Sequence, residues 1–341
     1  MRIYIKAANQ ISMQMPLNEE WINNPILVED PYCRSNDPDF KLFIPPVEAR
    51  RLGKVLKRAI SVSIKTLKDS GIECPDAIIT GTGLGSVEST ETFLTNMCEN
   101  GEQQLSPTHF MQSTHNTISS AIAIKLKCHG YNSTYSHKDV SFQSALYDAY
   151  LQFKNGKIAN CLVEGHDGIT PAYFHLLELS DYVGNGMKGT CSEVAMAALL
   201  TSDESEDSLC ELSSCKVLYK PSEDRICQEI NKALELCQSS AANALLMIGV
   251  NGKDANDKAY KFVLKDATKY ADVLKYKNVF GECFTANALG LYSAAHILKQ
   301  GKYPLAMRCF EQNDIPAGFR TIILLDISRN GDTSIITLKK K

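Results

Sequence analysis

The chain's 341 residues are 44% hydrophobic, and 36 Lys and Arg against 39 Asp and Glu leave a formal net charge of -3. Such a chain buries a large core in one to three domains, and with no basic surplus it cannot neutralise the phosphates of a nucleic acid or of an anionic membrane. The opening Met1-Arg2-Ile3-Tyr4-Ile5-Lys6 is too short and too charged for a secretory signal, and no apolar run approaches the ~20 residues of a membrane span. The twelve cysteines are scattered singly, without the paired spacing of a zinc site or a redox disulfide. They read as small buried hydrophobes in a reduced, cytoplasmic chain. No His, Cys and carboxylate cluster has metal-ligand spacing, so neither metal nor cofactor is expected, and the closing Lys-Lys-Lys reads as a solvated tail.

In chain order, Arg2 to Ala8 alternates as a first strand with Ile3 and Ile5 inward. A long irregular segment follows to about Pro46, then a helix from Pro46 through Leu67 that ends near Gly71. Ala77-Ile78-Ile79 is a short strand entering Gly81-Thr82-Gly83-Leu84-Gly85. That turn lacks both G-x-G-x-x-G spacing and a P-loop lysine, so it reads as a tight turn needing positive φ rather than a phosphate cradle. Ser106-Pro107 caps the next region, and Asn116 opens a small-residue helix, Ile118 to Ile124. Further on come a strand at Ile158 to Gly165 with His166 in the loop beyond, a flexible approach at Gly184 to Gly189, and an apolar strand from Thr190 to Leu200. The acidic run Ser202 to Ser208 marks a boundary. The second part repeats the grammar: a helix near Arg225 to Cys237, a strand at Ala244 to Val250, a small-residue helix from Ala286 to Leu298, and a closing strand from Thr321 to Ile327. Strands alternating with helices predict a layered α/β protein.

Between these parts lies Gly130 to Leu146: an extended segment through Thr134 and Tyr135, a polar break, then an amphipathic helix. A strand, sharp turn and helix of this kind present one side chain to a pocket beside the helix N-terminus, whose N–H groups carry partial positive charge. Asp139 stands at that turn, where its side chain would also suit the helix N-terminus as a cap.

The succession resembles the β-ketoacyl synthase family, the condensing enzymes of fatty-acid and polyketide assembly. The resemblance is carried by Gly81-Thr82-Gly83-Leu84-Gly85, by Ser106-Pro107 with Asn116, by Gly130 to Ala149, by Cys161-Leu162-Val163-Glu164-Gly165, and by Lys277, Gly281-Glu282, Ala286, Ala288 and Gly290 in order. It implies a thiolase-like five-layer αβαβα sandwich of two pseudo-symmetric halves, residues 1–201 and 209–341, paired as a dimer across the strand next to the turn at Asp139, which stands where the family has its nucleophile elbow. The usual Gly-Phe-Gly-Gly turn near the end is missing, with Phe310-Glu311-Gln312-Asn313-Asp314 about there.

In that family a thiolate carries the acyl chain, and two histidines decarboxylate the extender and stabilise the enolate. Laid on the motifs, the cysteine position falls on Asp139, one histidine on Asn251 and the other on Glu282, while the supporting lysine survives as Lys277. An aspartate forms no useful thioester and its anion repels a malonyl carboxylate, and asparagine shuttles no proton. The resemblance therefore narrows to the chain-length-factor type, catalytically silent homologues that pair with an active ketosynthase and meet acyl carrier protein and its acyl chain, with a homodimer as the other pairing. Two alternatives stand beside it: an active acyltransferase or condensing enzyme with machinery relocated to His137, His115, Cys128 or Cys283, and a scaffold dimer without an acyl tunnel.

Overall fold

In this computed structural model, residues 1–27, 30–103, 105–180, 191–252, 257–310, 316 and 318–341 are described. The strands are β1 (Tyr4–Ile11), β2 (Tyr32–Cys33), β3 (Ala77–Gly81), β4 (Tyr131–Tyr135), β5 (Asn160–Asp167), β6 (Cys191–Ser192), β7 (Val194–Thr201), β8 (Cys210–Leu218), β9 (Ala244–Ile248), β10 (Asp272–Lys275), β11 (Thr321–Ile327) and β12 (Thr333–Lys339). Hydrogen bonding runs through ten of them in the order β10-β9-β11-β12-β8-β1-β7-β5-β3-β4, with β2 and β6 forming a small separate pair. From the centre outward, β1-β7-β5-β3-β4 and β8-β12-β11-β9-β10 repeat one pattern: two antiparallel neighbours, then two parallel ones. Among the described residues the two sets pair in the sheet through β1 and β8, Tyr4 opposite Glu211 and Ile5 opposite Cys210.

The central strands are buried on both faces, and their period of two sorts the side chains into layers. On β7, Val194, Met196, Ala198 and Leu200 face one core while Ala195, Ala197 and Leu199 face another. On β11, Ile322 and Leu324 face that same first core, and Ile323 and Leu325 a third. The shared core holds two helices, Ser141–Lys154 and Ala286–Gln300. The outer cores are closed by helix Lys54–Ser70 on one side and Glu223–Leu236 on the other. Helix, sheet, helix pair, sheet and helix make the five αβαβα layers. Ala286–Gln300 is buried all round through Leu298, as its small apolar composition dictates for a helix between two sheets. Ser141–Lys154 buries Phe142, Ala145, Leu146, Ala149 and Phe153, one stripe at helical spacing.

Several expectations need correction. The helix expected over Pro46 to Leu67 is two, Pro46–Ala49 and Lys54–Ser70, because extended Gly53 intervenes as the second helix's N-cap. The strand expected over Thr190 to Leu200 breaks at Glu193, whose carboxylate turns to Arg58 at 2.9 Å. His166 is not in a loop: it continues β5, fully buried, 3.5 Å from Glu164. The closing strand is β12, not Thr321–Ile327, so the last lysines are more than a tail: Lys339 ends β12 and Lys341 Nζ lies 3.8 Å from Glu204. Seven of the twelve cysteines are buried, and Cys74, Cys98 and Cys227 are exposed. The approach at Gly184 to Gly189 and residues 311–314 lie outside the described residues. Among the described residues no helix is long and apolar enough to cross a membrane, and no three His, Cys or carboxylate groups are placed to hold a metal ion.

Candidate functional site

Asp139 stands in a single 3-10 turn, Lys138–Val140, between β4 and helix Ser141–Lys154. The turn is tight enough to hold Lys138 at φ +50, a region few non-glycine residues visit. Ser141 fixes it from below, its Oγ accepting from His137 N at 2.8 Å and donating to Lys138 O at 2.7 Å. The helix N-cap falls on Val140. The end of β3 presses directly on this helix start: a Cβ added at Gly81 would lie 2.5 Å from Phe142 Cα. Only glycine permits that approach.

The other three positions come from the second set of strands. Asn251 follows β9, Lys277 opens the one-turn helix Lys277–Phe280 after β10, and Gly281 at φ +77 swings the chain so that Glu282 turns back over Lys277. Asp139, Asn251, Lys277 and Glu282 line one pocket, with Cys283 and Asp326 among its other walls. Glu282 Oε2 is its hub, accepting from Lys277 Nζ at 2.9 Å and from Asn251 Nδ2 at 2.8 Å. The cavity measures about 20 Å³, room for about one water.

Burial alone would pull the Lys277 pKa down, but the carboxylates of Glu282 and Asp326 outweigh it and raise it above the ordinary lysine value. Asp326 is itself pushed up by burial, against Lys277 and a hydrogen bond donated by Tyr276. The lysine is thus held as a cation between carboxylates. Chemically, the pocket offers a fixed ion pair and amide donors; among the described residues that line it there is no imidazole to move a proton near pH 7.

The family model described as β-ketoacyl synthase, N-terminal domain, matches residues 19–256. The chain belongs to the β-ketoacyl synthase family. Among curated proteins none matches it. Solved structures show the synthase fold throughout its length. A chain of the ishigamide ketosynthase/chain length factor superposes with a TM-score of 0.79 at 16% identity, covering 100% of this chain and 99% of that one. A chain of the ketosynthase ApeO in complex with its chain length factor ApeC, from Xenorhabdus doucetiae, gives 0.77 at 14%, covering 100% and 98%. The AntDE:AntF structure, a type II polyketide acyl-carrier protein in complex with its ketosynthase bound to the hexaketide, gives 0.79 at 14%, covering 100% and 99%. The thiolase-like layering of this synthase relative is thereby fixed across the whole chain.

The residues of the relocated-machinery reading are dispersed in the synthase fold. His137 is exposed, its Nδ1 3.1 Å from Ser144 Oγ, and His115 packs against Gly85. Cys128 lies beyond the far end of β4 from Asp139. Cys283 does line the pocket, but burial pushes its thiol well up, with Asp167 and Glu282 adding to the effect. Such a thiol is a poor nucleophile.

Sequence reasoning missed three members of the neighbourhood. Asn287 Nδ2 donates to Asp139 O at 3.2 Å; its signal was an amide in the first turn of an otherwise small-residue helix. Asp326 stood out as an acid within an apolar strand. Asp167 binds the glycine turn to the start of helix Ala286–Gln300, accepting from Gly83 N at 2.9 Å, Leu84 N at 2.8 Å and Thr285 Oγ1 at 2.7 Å. Nothing in its local sequence announces that role.

Proposed function

We propose that this chain is the non-catalytic, chain-length-factor-like partner of an active ketosynthase, working in the cytoplasm in fatty-acid or polyene-type polyketide assembly on acyl carrier protein. The observation that carries the reading is the Glu282 hub. Where the resemblance places a proton-shuttling histidine, a carboxylate is tied to Lys277 and Asn251 within 2.9 Å. Asp139 at the elbow adds a second carboxylate, which neither carries an acyl group as a thioester nor tolerates an incoming malonyl carboxylate. Asp139, Asn251 and Glu282 are the replaced triad in this reading, and Lys277 is its surviving lysine, now structural. Residues 1–201 and 209–341 are its two halves.

The partner is an active ketosynthase docked on β4, which stands at the end of the strand order with no strand beyond it among the described residues. A sheet edge offers free N–H and C=O groups to another strand. On helix Thr117–Leu126, which packs beside β4, Ile124 is 78% exposed, and on the preceding helix, Pro107–Ser113, Phe110 and Met111 are 57% and 60% exposed. An apolar surface of this kind marks an interface. The neighbours described with a chain length factor or an acyl-carrier protein support the same assignment.

The small size of the pocket, about 20 Å³, favours one second reading, a scaffold dimer without an acyl tunnel. Reconstitution separates the two. The purified chain, an active ketosynthase encoded beside it, acyl carrier protein and loaded extender are combined and the product lengths measured. The chain alone gives no condensation, and its addition to the ketosynthase lengthens the products. Products of unchanged length from a complex that does form support the scaffold. Condensation by the chain alone refutes both.

A further inference from the structure

Cys74 and Cys128 are far apart in sequence, but the fold brings them together. β3 and β4 are parallel neighbours in an unbroken register, from Ala77 opposite Tyr131 to Gly81 opposite Tyr135. Cys74 and Cys128 each lie three residues before the start of their strand. The register holds in between: Tyr131 N donates to Asp76 O at 3.0 Å, and a Cβ on Gly130 would meet that same oxygen at 2.1 Å. Both thiols share one acceptor, with Cys128 Sγ 3.2 Å and Cys74 Sγ 3.8 Å from Pro75 O. The two thiols also lie within hydrogen-bonding reach of one another, and a disulfide joins cysteines whose Cα atoms are about 4.4–6.8 Å apart.

We propose that Cys74 and Cys128 are a redox-modifiable dithiol that closes to a disulfide with small disulfides of the glutathione class. Their exposures divide the work, Cys74 being open to solvent and Cys128 buried. Cys74, as its thiolate, attacks one sulfur of the small disulfide, breaking that S–S bond, forming a mixed disulfide and releasing one thiolate. Cys128, as its thiolate, then attacks the Cys74 sulfur, forming the internal S–S bond and expelling the second small thiolate. The two cysteine protons pass to solvent and on to the released thiolates, so one disulfide is made and one reduced. Burial and the adjacent Cys128 thiol push the Cys74 pKa up, so the exchange quickens as pH rises. Closure ties the start of the edge strand β4 to the start of β3.

The test is non-reducing peptide mapping of the full chain after incubation with oxidised glutathione at mildly alkaline pH. The expected result is a Cys74 peptide joined to the Cys128 peptide, undone by dithiothreitol, while exposed Cys98 and Cys227 carry at most glutathione. In Cys128→Ser, Cys74 is trapped as its glutathione adduct. The proposal is overturned if wild-type Cys74 keeps glutathione with Cys128 still a free thiol, if Cys74 links to another cysteine, or if Cys98 and Cys227 react while the pair does not.

Discussion

Lys277 stands between two carboxylates, and this decides what each substitution costs. Lys277→Met leaves Glu282 and Asp326 buried without their cation, a loss of about 3–5 kcal/mol by analogy with one-sided breaks of buried pairs. Glu282→Gln keeps an acceptor for Asn251 and leaves Lys277 facing Asp326, so it costs only about 1–3 kcal/mol. Guanidinium melts of both variants should give that order. Asp167 supplies the pH dependence at this scale. Burial, opposed by the hydrogen bonds from Thr285, Leu84, Thr82 and Gly83, pushes its pKa up to about 6. A carboxyl raised on folding stabilises the fold fully below the ordinary aspartate range, and that contribution is lost as pH rises through about 6, amounting to about 3 kcal/mol. Wild type minus Asp167→Asn, in urea melts from pH 4 to pH 7, should fall by that order as pH increases. Asp139, Asn251, Lys277 and Glu282 were legible because their motifs have fixed spacing. Asp167 and Asn287 were not, since their partners sit on other elements.

At the scale of elements, the elbow was readable because strand, polar break and amphipathic stripe follow in sequence, and the glycine turn beside it because it opens a tight loop, with Gly85 at φ +62. β8, β10 and β12 escaped notice for separate reasons. The inward positions of β8 are largely small or polar, and Ser214 Oγ donates to Thr337 Oγ1 on β12 at 3.0 Å, so hydroxyl pairs replace the apolar alternation that signals a strand. β10 is only four residues long. The contact between β3 and the elbow helix carries its own prediction. Gly81→Ala forces two backbones apart where a Cβ would lie 2.5 Å from Phe142 Cα. It should cost about 1–3 kcal/mol, as overpacking does, and thermal unfolding of the variant will show it.

Across the whole molecule, the repeated strand pattern explains how a pocket arises at the meeting of two similar sets of elements. Asp139 comes from the first set, and Asn251, Lys277 and Glu282 from the second. A layered α/β protein was legible because strands alternate with helices along the chain, and the five layers came from the family resemblance. What sequence left open was the meeting of distant segments, Cys74 with Cys128 and Asp167 with Thr285, because each depends on packing between distant elements. The central claim is that this pocket keeps the synthase architecture without its covalent chemistry. Intact-protein mass spectrometry after incubation with acyl- and malonyl-loaded acyl carrier protein tests it most directly. The account predicts an unmodified mass for wild type and for Asp139→Ala alike; an acyl adduct on wild type that maps to the elbow pocket would contradict it.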